Sequence, residues 1–207
     1  MSSLIDIVKE RRSATKFKPD VTIPHEELQE IFSLVRYTPS AFNLQHAHYI
    51  VVQNEDLKNG PVYEATGKQF KVKTASAAIL VLGDLEAYRQ VGPINEGLLN
   101  LGVISKQEYD MTVDSVTQFY EQGGETFKRD EAIRNASLSA MQFMLIAKDK
   151  GWDTCPMIGF DAEAMRRALD IPDRYVPALL ITIGQEDVSS QRPRGYRKPV
   201  GEFVTIK

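Results

Sequence analysis

Residues 77–82 read Ala-Ala-Ile-Leu-Val-Leu, an unbroken apolar run of strand length. A strand with one wet face alternates apolar and polar residues, so this run predicts an interior strand covered on both faces. A second buried strand is expected at Leu179–Ile183, with shorter ones at His48–Gln53 and Trp152–Cys155. Helical patterns fill the intervals. Residues 3–12 carry Leu4, Ile7 and Val8 on one face, behind Ser3 and Asp6 at capping-box spacing. Residues 24–36 set Leu28, Ile31, Phe32 and Val35 at helical intervals after Pro24. Residues 95–122 predict one or two polar, tyrosine-rich surface helices. Residues 131–150 give the strongest helical pattern, and Gly151 stops it. Its face of Ile133, Ala136, Ala140, Met144 and Ala147 is small enough for a second helix to approach closely. A two-fold contact with another copy of the chain is the expected use of that face. Asp161 is placed to cap a helix running to about Leu169. Helices and strands alternate, so the class is α+β or α/β, with helices packed on a central sheet.

The chain has 207 residues, 43% hydrophobic and 26% charged, with a mass of 23.3 kDa. A compact chain of that mass exposes roughly 9,700 Å² and buries about 70% of its unfolded surface. No repeat and no long linker divides it, so residues 1–207 are expected to form a single domain. The polar tail after Gly184 reads as a C-terminal arm over about 185–207. The lone cysteine, Cys155, cannot form an internal disulfide and fits a reducing cytoplasm. Charges interrupt the N-terminal apolar residues too early for a signal peptide, and no apolar run reaches the ~18 residues of a membrane helix. The net charge is −3. Basic residues nevertheless concentrate in residues 9–18 (KERRSATKFK) and 192–198 (RPRGYRK), leaving an acidic body. Two basic clusters on an acidic chain suggest a localised anion site more than a nucleic-acid surface.

Several chemistries lack their motifs. There is no G-x-G-x-x-G, no phosphate loop of the G-x-x-x-x-G-K-[ST] type and no H-E-x-x-H. His46 and His48 share a strand face without an obvious third ligand, so no metal site is expected. Ser40 lacks the glycine-flanked elbow of a hydrolase serine. Cys155 has no cation or histidine beside it in sequence and reads as an inert core thiol. What remains suits a planar anion. Arg11, Arg12 and Ser13 offer two guanidinium forks and a hydroxyl where a helix ends. The loop Pro39-Ser-Ala-Phe-Asn-Leu-Gln45 is rich in hydroxyl and carboxamide groups.

Arg11-Arg12-Ser13 with Phe17, the loop Pro39-Ser40-Ala41-x-Asn43-x-Gln45, the segment Gly151 to Asp161 and the terminal Arg197-Lys198-Pro199 occur in one order. That order resembles the FMN-dependent nitroreductase family over residues 4–204, and most of all its bacterial NAD(P)H nitroreductases linked to quinone and hydroquinone stress. The resemblance implies an α+β fold with a mainly antiparallel central sheet and an interlocked homodimer holding two FMN molecules at its interface. It assigns the ribityl phosphate to Arg11, Arg12, Ser13 and Arg197, and counts Arg194 and Thr15 among the cofactor-binding residues; Arg192 is expected to matter less. Pro39, Ser40, Asn43 and Gln45 would come from the other subunit. Lys68, Gln69 and Lys71 would reach the pyrimidine edge, and Pro156, Ile158 and Gly159 would lie along the isoalloxazine. The chain departs from the family at Thr15, at His46-Ala47 and at Ile158.

The resemblance further implies that NAD(P)H and a quinone or nitroaromatic acceptor react in turn by hydride transfer at the flavin, with no catalytic side chain. That scheme needs no dinucleotide fold, and the flavin carries the chemistry. Two other readings stay open: the same FMN fold used for dehalogenation or desaturation, and a non-catalytic module with basic ends. The expected partners are a second copy and a small molecule, with no nucleic acid and no membrane.

Overall fold

Strand β2 (Ala77–Asp84) is buried at every position, and its two faces feed two separate cores. Ala78, Leu80 and Leu82 point into one cluster with Phe17, Val62, Cys155, Met157 and Met165. Ala77, Ile79 and Val81 point into the other, with Leu28, Ile31, Ala136, Ala140 and Phe143. Apolarity at every position follows from that double cover. The computed structural model describes residues 3–191 and 193–207. It places β2 second in a four-stranded antiparallel sheet. The other strands are β1 (Ala47–Val52), β3 (Asp153–Met157) and β4 (Tyr175–Gly184), in the order β1-β2-β4-β3. Leu80 sits opposite Ile50 of β1 and Leu180 of β4.

The first helix, Leu4–Glu10, begins with the expected capping box between Ser3 and Asp6. The second, His25–Val35, buries Leu28, Ile31 and Val35. Asp161 caps Ala162–Ala168 through the Glu163 and Ala164 amides. The two segments 95–122 and 131–150 are organised differently from expectation. Helix Val91–Asn100 is followed by one long element, Lys106–Asp149, interrupted at Gly124. Gly124 has φ 71° and ψ −177°, a conformation open essentially to glycine, and the helix turns a corner there.

The small-residue face of the long helix also has another use. Ala136, Ala140, Met144 and Ala147 pack on the chain's own sheet against Ile79, Val81 and Ile181. A Cβ on Gly83 would lie 2.7 Å from the Ala132 backbone, so the helix touches β2 as closely as a bare backbone allows. Small residues permit close approach to a sheet as well as to a helix, and here the sheet takes that face. Leu138 and Met141 of the same helix point outward.

Candidate functional site

The site grows from the free edge of β3. The segment after the first helix runs along that edge, with Ser13 bridged to Thr154 and the Ala14 amide bonded to the Thr154 carbonyl at 3.0 Å. This attachment fixes Arg11 beside Cys155. Arg11 Nη1 is buried and has no hydrogen-bond partner. Its pKa is lowered first by burial and then by the charges of Arg194 and Arg197, with Cys155 opposing. Arg194 crosses from the C-terminal arm and donates to the carbonyls of Lys9 and, at 3.3 Å, Arg11. Arg197 donates to its own neighbours, the Gly195 and Tyr196 carbonyls. Three guanidinium groups therefore converge on one place, and one buried N–H still lacks an acceptor. Such a cluster fits a phosphate.

Arg12 lines a neighbouring cavity with Lys148, Asp153, Glu186 and Arg194. Ser13 and Thr15 are exposed beside it. Arg192 lies outside the described residues.

Farther along the same edge, Lys71 Nζ lies 3.5 Å from Cys155 Sγ. The thiol is 4% exposed. Cys155 has no cation beside it along the chain, yet the fold brings one to it, because residues 84 positions apart meet there. Gln69 Nε2 donates to the Gly159 carbonyl at 2.7 Å, joining the Lys68–Lys71 stretch to the turn after β3. Lys68 has a positive φ and pairs with Glu64 at 3.3 Å. Ile158 is 85% exposed at the turn, with Pro156 below it on the strand. Arg11, with Arg194 and Arg197, and Lys71 thus gather around Cys155, and Gln69 joins the turn that carries Ile158 and Gly159, all at the β3 edge of the sheet.

Pro39, Ser40, Asn43 and Gln45 do not join this group. Their loop leads into β1, the strand at the opposite edge of the sheet. Three strand spacings separate the two edges, about 14 Å. The loop is unusual in itself: Phe42, Asn43 and Gln45 all have positive φ. Ser40 Oγ accepts the Gln45 amide at 2.9 Å, and Asn135 Oδ1 accepts the Ala41 amide at 2.8 Å. Asn135 also donates to the Glu131 carbonyl. Sequence reading missed Asn135, although a carboxamide inside an otherwise apolar helix face was a usable signal. A half-open cavity of about 260 Å³ lies behind the loop, lined by Pro39, Ser40, His46, Tyr49, Asn135 and Ser139.

His46 is 1% exposed and shares a 3.2 Å hydrogen bond with the Tyr120 hydroxyl. Burial pushes its imidazole down to about 4, partly offset by Asp84. Tyr49, bonded to Ser139 at 2.6 Å, is pushed up to about 12 by burial. Both are neutral structural groups under the loop at physiological pH.

Comparison with known proteins adds a common frame. A family model described as the nitroreductase family matches residues 8–185. The Bacillus subtilis protein MhqN, whose name assigns it provisionally to the NAD(P)H nitroreductases, is 56% identical over 204 residues, 99% of this chain and 98% of that one. The crystal structure of the B. subtilis nitroreductase-like protein ydfN superposes with a TM-score of 0.96 at 55% identity, covering 98% of each chain. A similarly described protein of Exiguobacterium sibiricum, solved in complex with FMN, gives 0.90 at 29% identity, covering 100% of this chain and 98% of that one. Among the described residues, no helix is long and apolar enough to cross a membrane.

Proposed function

The chain belongs to the nitroreductase family, and on that premise we propose that two copies bind two FMN molecules and reduce quinones or nitroaromatic compounds with NAD(P)H. The observation that carries the reading is Arg11, whose buried Nη1 lacks an acceptor while Arg194 and Arg197 press their charges on it. The FMN phosphate brings close to two negative charges and several acceptor oxygens, which complement that cluster. The FMN-bound relative supports the choice of cofactor.

Arg11, Arg194 and Arg197 would hold the phosphate, with Arg12, Ser13 and Thr15 around them. Lys68, Gln69 and Lys71 would supply N–H and cationic groups to the pyrimidine edge. The backbone of Pro156, Ile158 and Gly159 would run beside the ring. FMN, when bound, supplies two-electron chemistry, accepting a hydride from one substrate and giving it to the next. In balance, NAD(P)H and one proton convert a quinone to its hydroquinone, with NAD(P)⁺ released. No side chain is assigned an acid or base role, and solvent supplies the proton.

A second copy is part of this reading, because Pro39, Ser40, Asn43 and Gln45 sit at the far edge of the sheet from the arginines. Surface area supports it. The chain exposes 12180 Å², about a quarter more than a compact monomer of its mass. Tyr196, Val200, Phe203 and Ile206 of the C-terminal arm are all exposed and are apolar enough to pack on another copy. A cytoplasmic setting fits the single cysteine. The test is direct. Purified protein should carry flavin absorbance and oxidise NAD(P)H when a quinone is added without oxygen, with parallel initial-velocity lines for donor and acceptor. Colourless protein, or no oxidation by flavin-loaded protein, would contradict the reading.

A further inference from the structure

We infer that Phe42, propped by Phe119, is the residue that selects acceptors with a flat aromatic ring; this rests on the function proposed above and names the acceptor class its site prefers. Phe42 has φ 51° and ψ 22°, a left-handed conformation that is a genuine outlier for a bulky residue. Glycine or asparagine takes that conformation at far lower cost. Core packing does not explain the choice of phenylalanine, since the residue is 52% exposed.

The loop holds the strained residue firmly. The Asn43 amide donates to the Ser40 carbonyl and the Leu44 amide to the Ala41 carbonyl, each at 3.0 Å. Asn135 clamps Ala41 at 2.8 Å. Backbone strain retained by such over-determined bonding marks a position kept for what its side chain does.

The ring is also aimed. Phe42 meets Phe119 edge-on at 5.9 Å and 66°, and Tyr120 at 6.4 Å and 69°. Phe119, 50% exposed, rests edge-on against Phe127 at 5.1 Å and 85°. Two half-exposed rings at a steep angle meet as the two walls of a corner. A flat ring entering the corner stacks on one wall and meets the other edge-on, the two arrangements that aromatic pairs prefer. The rigid base beneath, Tyr88 stacked on Tyr120 at 5.4 Å, leaves the corner little freedom to collapse. Phe42 lies between Ser40 and Asn43, in the loop that would face the flavin held by the other copy, so its ring would border the space where acceptors enter.

The experiment compares two acceptors, a naphthoquinone with a flat ring and ferricyanide with none, on the flavin-loaded protein. Phe42→Leu keeps the bulk and removes the aromatic face, while Phe42→Tyr keeps both. Phe42→Leu should lower the ratio of kcat/KM for the naphthoquinone over ferricyanide by about two- to tenfold, and Phe42→Tyr should restore it. An unchanged ratio in flavin-loaded Phe42→Leu, or equal losses in both variants, would overturn the inference alone. Loss of flavin or of the dimer in Phe42→Leu would also overturn it, by showing that the ring holds the assembly together. A parent protein without FMN, or a flavin-loaded one inert toward the naphthoquinone, would overturn the proposed function and this inference with it.

Discussion

Asn135 Oδ1 accepts the Ala41 amide at 2.8 Å, tying the middle of the long helix to a loop 94 residues earlier in the chain. The carboxamide also donates to the Glu131 carbonyl at 2.8 Å, so both of its ends are in use. Removing it leaves a part-buried loop amide without its acceptor. Asn135→Ala should cost about 1–3 kcal/mol, read by urea unfolding, and should weaken FMN binding through the displaced Ser40–Gln45 turn. An unchanged unfolding free energy would show that the clamp contributes nothing.

The buried imidazole of His46 makes stability depend on pH with a defined sign. Its folded pKa is depressed to about 4, while the unfolded value is about 6.5. Between those limits the unfolded chain takes up a proton that the native protein refuses. Stability should therefore fall as pH drops from about 6.5 to 4, by roughly 3 kcal/mol in total from this group. Other groups titrate in the same window, so the parent is compared with His46→Gln by urea unfolding at several pH values. The difference between the two should be flat above pH 6.5 and shrink below it; a constant difference would refute the assignment.

Much of this was legible in the sequence because burial leaves a pattern. The apolar run at 77–82 announced a doubly covered strand, and Ser3 and Asp6 announced the first helix. Long-range pairings left no such pattern. The meeting of Lys71 with Cys155, and of Gln69 with Gly159, depends on how the sheet edge and the following turn lie in space. The small-residue face of the long helix was readable as a close contact, but the sequence does not say whether a sheet or a second helix fills it. The break at Gly124 was hidden because Gly123 and Gly124 sit among good helix formers. The separation of the Ser40 loop from the Arg11 cluster follows from strand order, which spacing along the chain does not encode.

The arginine cluster predicts a selective response to anions. Arg11→Ala and Arg197→Ala should each weaken FMN binding by about ten- to a hundredfold, the range of a charge-assisted hydrogen bond. With saturating FMN, turnover of Arg197→Ala should largely recover, because this residue would hold the phosphate and not the ring. In flavin-free protein, inorganic phosphate should raise the Tm more than chloride at equal ionic strength, by relieving the repulsion among Arg11, Arg194 and Arg197. Equal effects of the two salts, with parent-like FMN affinities, would mean that the cluster is only a solvated surface.

Cys155 is enclosed, and its neighbour Lys71 reaches it from the same edge of the sheet. Its role in this account is to pack. Cys155→Ser should retain most of the NAD(P)H-dependent quinone reduction with FMN bound, together with a modest loss of stability. Abolished turnover in flavin-loaded Cys155→Ser would show that the thiol takes part in the chemistry.

The central claim is that one flavin site is built from two chains, the arginines of one and the Ser40 loop of the other. Native mass spectrometry of the purified protein tests it most directly, since one spectrum reads chain number and cofactor number together. The account predicts a species of two chains carrying two FMN molecules, with flavin lost whenever the dimer dissociates. A folded monomer that retains FMN would contradict it.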